Sequence, residues 1–166
     1  PERWMGSFDL LDEVWVPSAY VQKAVAAVSP VPVIIMPHVV EPSFLSRITY
    51  SRASLGIHES AFVFLSLFDT RSITLRKNPF GAIVAFKNAF DAGDQSVQLI
   101  VKVSNSDDDT NTMLASYIAE HTNILVLSKH YGREEIDSLI NSADCYVSLH
   151  RAEGFGLGPA EAMAMG

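Results

Sequence analysis

The sequence predicts an α/β fold, a Rossmann-like parallel sheet flanked by helices. Three observations predict it. The apolar stretches are continuous Val/Ile/Leu runs rather than strict alternations, which marks strands covered on both faces. Helical patterns lie between them, and the 166-residue chain is 48% hydrophobic and 19% charged, enough to bury a sizeable core.

In chain order, the predicted strands cover about 13–16, 32–36, 62–67, 97–103, 123–127 and 145–149. Helical patterns fill about 18–28, 78–90, 108–121 and 133–142, and a last helix begins at Pro159. Alternation of this kind predicts right-handed crossovers and a doubly wound sheet with its ligands at the carboxyl ends of the strands. The loops after Leu67, Val103, Leu127 and Leu149 are therefore the candidate sites. Between residues 36 and 42, Pro37 and Pro42 interrupt the pattern, and a polar helix-like stretch follows at 43–55. We place a unit boundary in this region, with residues 1–45 as one unit and 46–166 as the other. The first holds too few strands for a sheet of its own, so its apolar faces need a partner.

Twelve Lys and Arg against nineteen Asp and Glu give a net charge of −7, which argues against a nucleic-acid partner. The single Cys145 makes no internal disulfide, and without a Cys/His cluster there is no structural zinc site, so a reducing, cytoplasmic setting fits. The most apolar stretch, 24–36, is broken by Pro30 and Pro32 and cannot span a bilayer as a helix. A start at Pro1 and an end just after an apolar helix pattern read as a piece of a longer protein. Asp107, Asp108 and Asp109 read as a helix cap and a solvated turn, since three adjacent carboxylates diverge in space.

The most informative stretch runs from Ser148 to Gly166. Gly154, Gly156 and Gly158 allow close backbone approach and positive φ, and Pro159 suits a first helical turn whose free N–H groups can hold a diphosphate. Glu153 lies in the loop and Glu161 just past Pro159, so two carboxylates can approach one ligand from different sides. The same residues also read as plain turn chemistry, with Glu161 supporting a helix N-terminus. The spacing G-x-G-x-G is not a dinucleotide fingerprint, and no P-loop motif occurs.

Glu153 and Glu161, separated by seven residues that include Gly154-Phe155-Gly156-Leu157, resemble the signature of family 4 retaining glycosyltransferases of the GT-B fold. The resemblance implies the end of an acceptor domain followed by most of the C-terminal, donor-binding domain. It implies that Glu153 meets the donor sugar as the catalytic carboxylate and that Glu161 holds the ribose hydroxyls. The amides of Phe155, Gly156 and Leu157 then approach the diphosphate and sugar. The stretch 68–79 is similar to the family's basic pair: Lys77 matches its Lys, and Arg71 or Arg76 supplies the second charge. His150, next to the motif, is a donor contact by the same resemblance, beside a structural reading as a hydrogen-bonder.

The implied function is transfer of a sugar from a nucleotide diphosphate sugar, without a metal or resident cofactor, to a glycan or lipid-linked acceptor held by the other domain. Peripheral membrane association of the parent enzyme belongs to the same expectation, as does polysaccharide biosynthesis. The alternatives are a non-catalytic α/β nucleotide-binding or interaction module, or another GT-B enzyme such as a sugar-nucleotide epimerase or phosphorylase. Met163, Ala164 and Met165 form an apolar face whose exposure favours self-association. Trp15 reads as core, Cys145 as an inert small hydrophobe in a buried strand, and Lys102, within an apolar run, receives no role.

Overall fold

A computed structural model describes residues 2–41 and 50–166. The helix-like stretch expected at 43–55 and the boundary at 45–46 lie largely outside the described residues; within them, Ala53–Leu55 form a short 3-10 turn. The chain divides into two compact units: Pro1–Val40 with Glu153–Leu157, and Glu41–Ala152 with Gly158–Gly166.

In the first unit a 3-10 segment, Glu2–Leu10, precedes strand β1 (Val14–Val16), helix α1 (Ala19–Ala26) and strand β2 (Val33–Ile35). Contrary to expectation, these two strands do form a sheet by themselves, pairing in parallel with Trp15 opposite Ile34. Ser18 caps α1 by accepting from the Val21 amide, satisfying one of the donors a helix start leaves open. Gln22 ties the helix to β2 by donating to the Val33 carbonyl at 2.8 Å. Trp15 is not core: it is 61% exposed, and its indole N–H donates to Glu13. With only one neighbouring strand, β1 has an edge without a pairing partner in its own sheet.

The second unit is built on β3 (Phe62–Asp69), β4 (Val97–Ser104), β5 (Ile124–Leu127) and β6 (Cys145–Tyr146), all parallel, in the order β5-β4-β3-β6. The helices are α2 (Thr74–Lys77), α3 (Pro79–Ala89), α4 (Asp108–Ile118), α5 (Arg133–Ser142) and α6 (Leu157–Met165). Side chains of successive strand residues point to opposite faces. Phe68, Leu99, Val101 and Val103 meet Ile83 and Phe86 of α3 and Leu114 of α4 on one side. Val63, Leu65 and Ile100 meet Leu139 and Ile140 of α5 on the other, with Ala162 and Met165 of α6 packed against them. The sheet is thus covered on both faces, as the continuous apolar runs require.

Two boundaries differ from expectation. β6 has paired residues only at 145–146, flanked by main-chain bonds from the Asp144 and Val147 amides to the Val63 and Leu65 carbonyls. The last helix starts at Leu157, two residues before Pro159, which still falls in the first turn. Asp107 caps α4 as expected, accepting from the Thr110 amide at 2.8 Å. Among the described residues no helix is long and apolar enough to cross a membrane.

Candidate functional site

The strand order marks the end of the sheet at which open α/β folds bind their ligands. From β3 the chain moves outward to β4 and β5, then returns to place β6 on the other side of β3. This reversal is a topological switch point, and the crevice beyond the carboxyl ends of β3 and β6 is where open α/β sheets bind ligands. The loops leaving these two strands carry the basic segment and the start of the Gly-rich motif.

Within the second unit the two loops are bonded to each other. The Arg76 guanidinium donates through Nη1 to the Ala152 carbonyl at 2.7 Å and through Nη2 to the Ser72 hydroxyl. The Arg151 amide donates to the Arg76 carbonyl at 2.8 Å, and the Arg151 guanidinium donates to the Leu75 carbonyl at 2.7 Å. Asn78 Nδ2 donates to the Leu149 carbonyl at 3.1 Å. Asn78 holds a left-handed conformation, φ +44°, at the N-cap of α3, with Pro79 at the first helical position. Gly81 has no Cβ because the Asn78 side chain occupies that place. The structure therefore places Arg76 on the backbone leading into the motif. Lys77 closes α2 and is partly exposed, as is His150 beyond β6.

Glu161 lies in the second turn of α6 rather than at its start, so it is not the N-terminal carboxylate that the turn-chemistry reading required. It is 15% exposed, and its Oε1 accepts from Arg133 Nη1 at 2.5 Å. Arg133 Nη2 lies 2.9 Å from Asp137, one turn further along α5, whose carboxylate is 4% exposed. Burial disfavours the Arg133 charge, but its bonds to Glu161 and Asp137 more than offset this and raise its pKa. Gly158 is required by packing: an added Cβ would run into the Tyr146 ring and hydroxyl.

The remaining motif residues belong to the first unit. There the Gly154 carbonyl accepts from the Ser18 hydroxyl at 2.6 Å, and the Phe155 ring packs edge-on against His38, centroids 5.2 Å apart. A Cβ on Gly154 would only touch Val21 and Pro17 at ordinary distance, so this position does not demand glycine within its unit. Gly156 does demand it, with φ +84°. Glu153 opens this five-residue stretch and is partly exposed.

Sequence reasoning missed two charged groups. Lys102 is 1% exposed near the carboxyl end of β4; its ammonium donates to the Val103 carbonyl at 2.8 Å and stands 4.9 Å from the centre of the Tyr131 ring. Burial lowers its pKa, while Glu135 and Asp69 work in the other direction. Tyr131, beside it, has its pKa raised by burial and by Glu135. The sequence signal for Lys102 was its place inside an unbroken apolar run. The partnership of Arg133 with Glu161, 28 residues away, had no sequence signal. Among the described residues no group of three His, Cys, Asp or Glu could hold a metal ion.

Fold and motif placement together define a parallel, doubly wound α/β domain with its switch point between β3 and β6. A family model for glycosyl transferases group 1 matches residues 51–166, and the chain belongs to that family. Solved structures share the fold. A sucrose-phosphate synthase from Thermosynechococcus elongatus is 20% identical, with TM-score 0.72 over 99% of this chain and 42% of its own. An α,α-trehalose-phosphate synthase (UDP-forming) from Burkholderia xenovorans, in complex with glucose-6-phosphate, is 14% identical, with TM-score 0.74 over 99% and 46%. An E. coli trehalose-6-phosphate structure bound with UDP-2-fluoro glucose is 11% identical, with TM-score 0.73 over 99% and 45%. At such identities the likeness is one of fold, that of the GT-B C-terminal domain. The chain spans less than half the length of these structures. No curated protein matches it.

Proposed function

We propose that this chain supplies the donor side of a retaining, family 4 glycosyltransferase that moves a sugar from a nucleotide diphosphate sugar to a glycan or lipid-linked acceptor. The observation that carries the reading is the pair Glu153 and Glu161 at their seven-residue separation, inside the region matched to glycosyl transferases group 1. Lys77 and Arg76 take the diphosphate, whose negative charge grows as the sugar leaves, and the amides of Phe155, Gly156 and Leu157 share that task without a metal. Glu153, ionised, orients the sugar and stabilises the positive charge that develops on it. Glu161 accepts from the ribose hydroxyls, and His150 contacts the donor. Residues 1–45 are the end of the acceptor unit, and the cytoplasm is the proposed setting.

Uridine is the first base to test, because similar folds include a UDP-forming synthase and a structure bound with UDP-2-fluoro glucose. The test is thermal unfolding with UDP, GDP and ADP, since a ligand that binds only the native state raises the midpoint. UDP at about a hundred times its Kd should add roughly 2.7 kcal/mol of stability. Lys77→Ala should weaken UDP binding about tenfold, the cost of losing a charge-assisted bond. Equal midpoints with and without every nucleotide would refute the reading.

A further inference from the structure

We propose that Arg133 is a positioning residue for Glu161: anchored on the buried Asp137, it fixes one oxygen of the Glu161 carboxylate and leaves the other to accept from the vicinal hydroxyls of a nucleotide ribose. It thereby sets the preference for ribonucleotides over deoxyribonucleotides. This rests on the donor-binding role proposed for Glu161.

Arg133 itself is half-exposed, and what separates this triad from an ordinary surface ion pair is the burial of its two carboxylates. Exposed pairs hold two long, mobile side chains and contribute little. Here both carboxylates are largely buried, Asp137 4% and Glu161 15% exposed, and each takes a different nitrogen of one planar guanidinium. Both helices that carry the triad are packed on the same face of the sheet, α5 through Leu139 and Ile140 and α6 through Ala162 and Met165, so the fork is mounted on rigid elements. Asp137 lies one turn from Arg133 on α5 and fixes the direction in which the guanidinium points.

Glu161 uses Oε1 for Arg133, and among the described residues Oε2 has no hydrogen-bond donor. An ionised carboxylate has acceptor positions on both oxygens. A carboxylate held by one oxygen in a fixed plane therefore presents the other as an oriented acceptor, which suits a pair of adjacent hydroxyls. Lysine would supply the charge but not the fork.

The experiment measures binding of UDP, GDP and ADP, and of the 2′-deoxy form of whichever binds, to the protein and to Arg133→Gln, Arg133→Lys and Glu161→Gln. The wild-type protein should favour the ribonucleotide by about tenfold, the worth of a hydrogen bond to a charged acceptor. Arg133→Gln and Glu161→Gln should both bring that ratio close to one while leaving affinity for the deoxynucleotide largely intact. Arg133→Lys should restore part of it. A role confined to holding α5 to α6 would weaken both nucleotides equally and leave the ratio at its wild-type value, which would overturn the proposal, as would a lost ratio in Glu161→Gln alone. Failure of the wild-type protein to bind any of the three diphosphates would overturn the donor-binding reading and this inference with it. Circular dichroism of each variant confirms that native folds are being compared.

Discussion

In the four-stranded sheet, β4 has a neighbour on each side and its six central residues are buried; in the two-stranded sheet only Val16 is buried, and Trp15 of the same strand stands in solvent. Both strands read alike in sequence, as short apolar runs. The difference lies in what surrounds them. An apolar run becomes core when strands flank it and helices cover both faces, and a two-stranded ribbon with one packed helix offers neither in full. β6 shows the same effect within the larger sheet, where at the edge neither Cys145 nor Tyr146 is fully buried.

The comparison can be broken or sharpened by substitution, starting with the largest effect. Leu65, fully buried in β3, packs between the sheet and α5; Leu65→Ala should cost about 3 kcal/mol in urea unfolding, from lost transfer energy and the cavity left behind. A cost below 1 kcal/mol would mean that the larger sheet is no better packed than the smaller.

Lys102 comes next, because it places an ammonium in the most buried strand. Its pKa is lowered in the folded chain by burial, so between that value and the unfolded value near 10.5 the unfolded chain binds more protons. Stability must therefore rise with pH through that window, and the penalty is felt in full below it. Lys102→Met should be more stable than the wild-type protein at neutral pH, with the difference narrowing as pH approaches 10.5. Unfolding free energies measured from pH 7 to 10.5 decide it, and a constant difference would contradict the assignment. At the small end, Trp15→Ala should shift stability by less than about 0.5 kcal/mol, the range of exposed positions. A loss of 3 kcal/mol there would show that the indole is covered in solution.

The legible parts of the sequence were those with local causes. Residues 133–142 were read as a helix with the observed ends, because the repeat of Ile136, Leu139 and Ile140 is complete within the segment. β3, β4 and β5 were legible from unbroken apolar runs, and Asp107 as a cap from its place before a helical pattern. α2 was missed because four residues are too few to show a period. For the site, the spacing of Glu153 and Glu161 was visible, while the partner of Glu161 was not, since only the folded sheet brings α5 and α6 side by side. Likewise, Arg76 was legible as a cation near the site, but its bond to the Ala152 carbonyl depends on β3 and β6 being neighbours.

That bond is joined by three others between residues 75–78 and 149–152 among the described residues, and together they tie the two segments to each other. Every acceptor in these bonds is a main-chain carbonyl, so exchange of one segment costs a bond only where the side-chain donor at 76, 78 or 151 is lost, leaving a carbonyl without its partner. Exchange of both together with Ser72, which accepts from Arg76, keeps these bonds. A crossover between α3 and β6 parts the two segments, and recombination among such enzymes should tolerate it where both parents keep the side-chain donors at 76, 78 and 151.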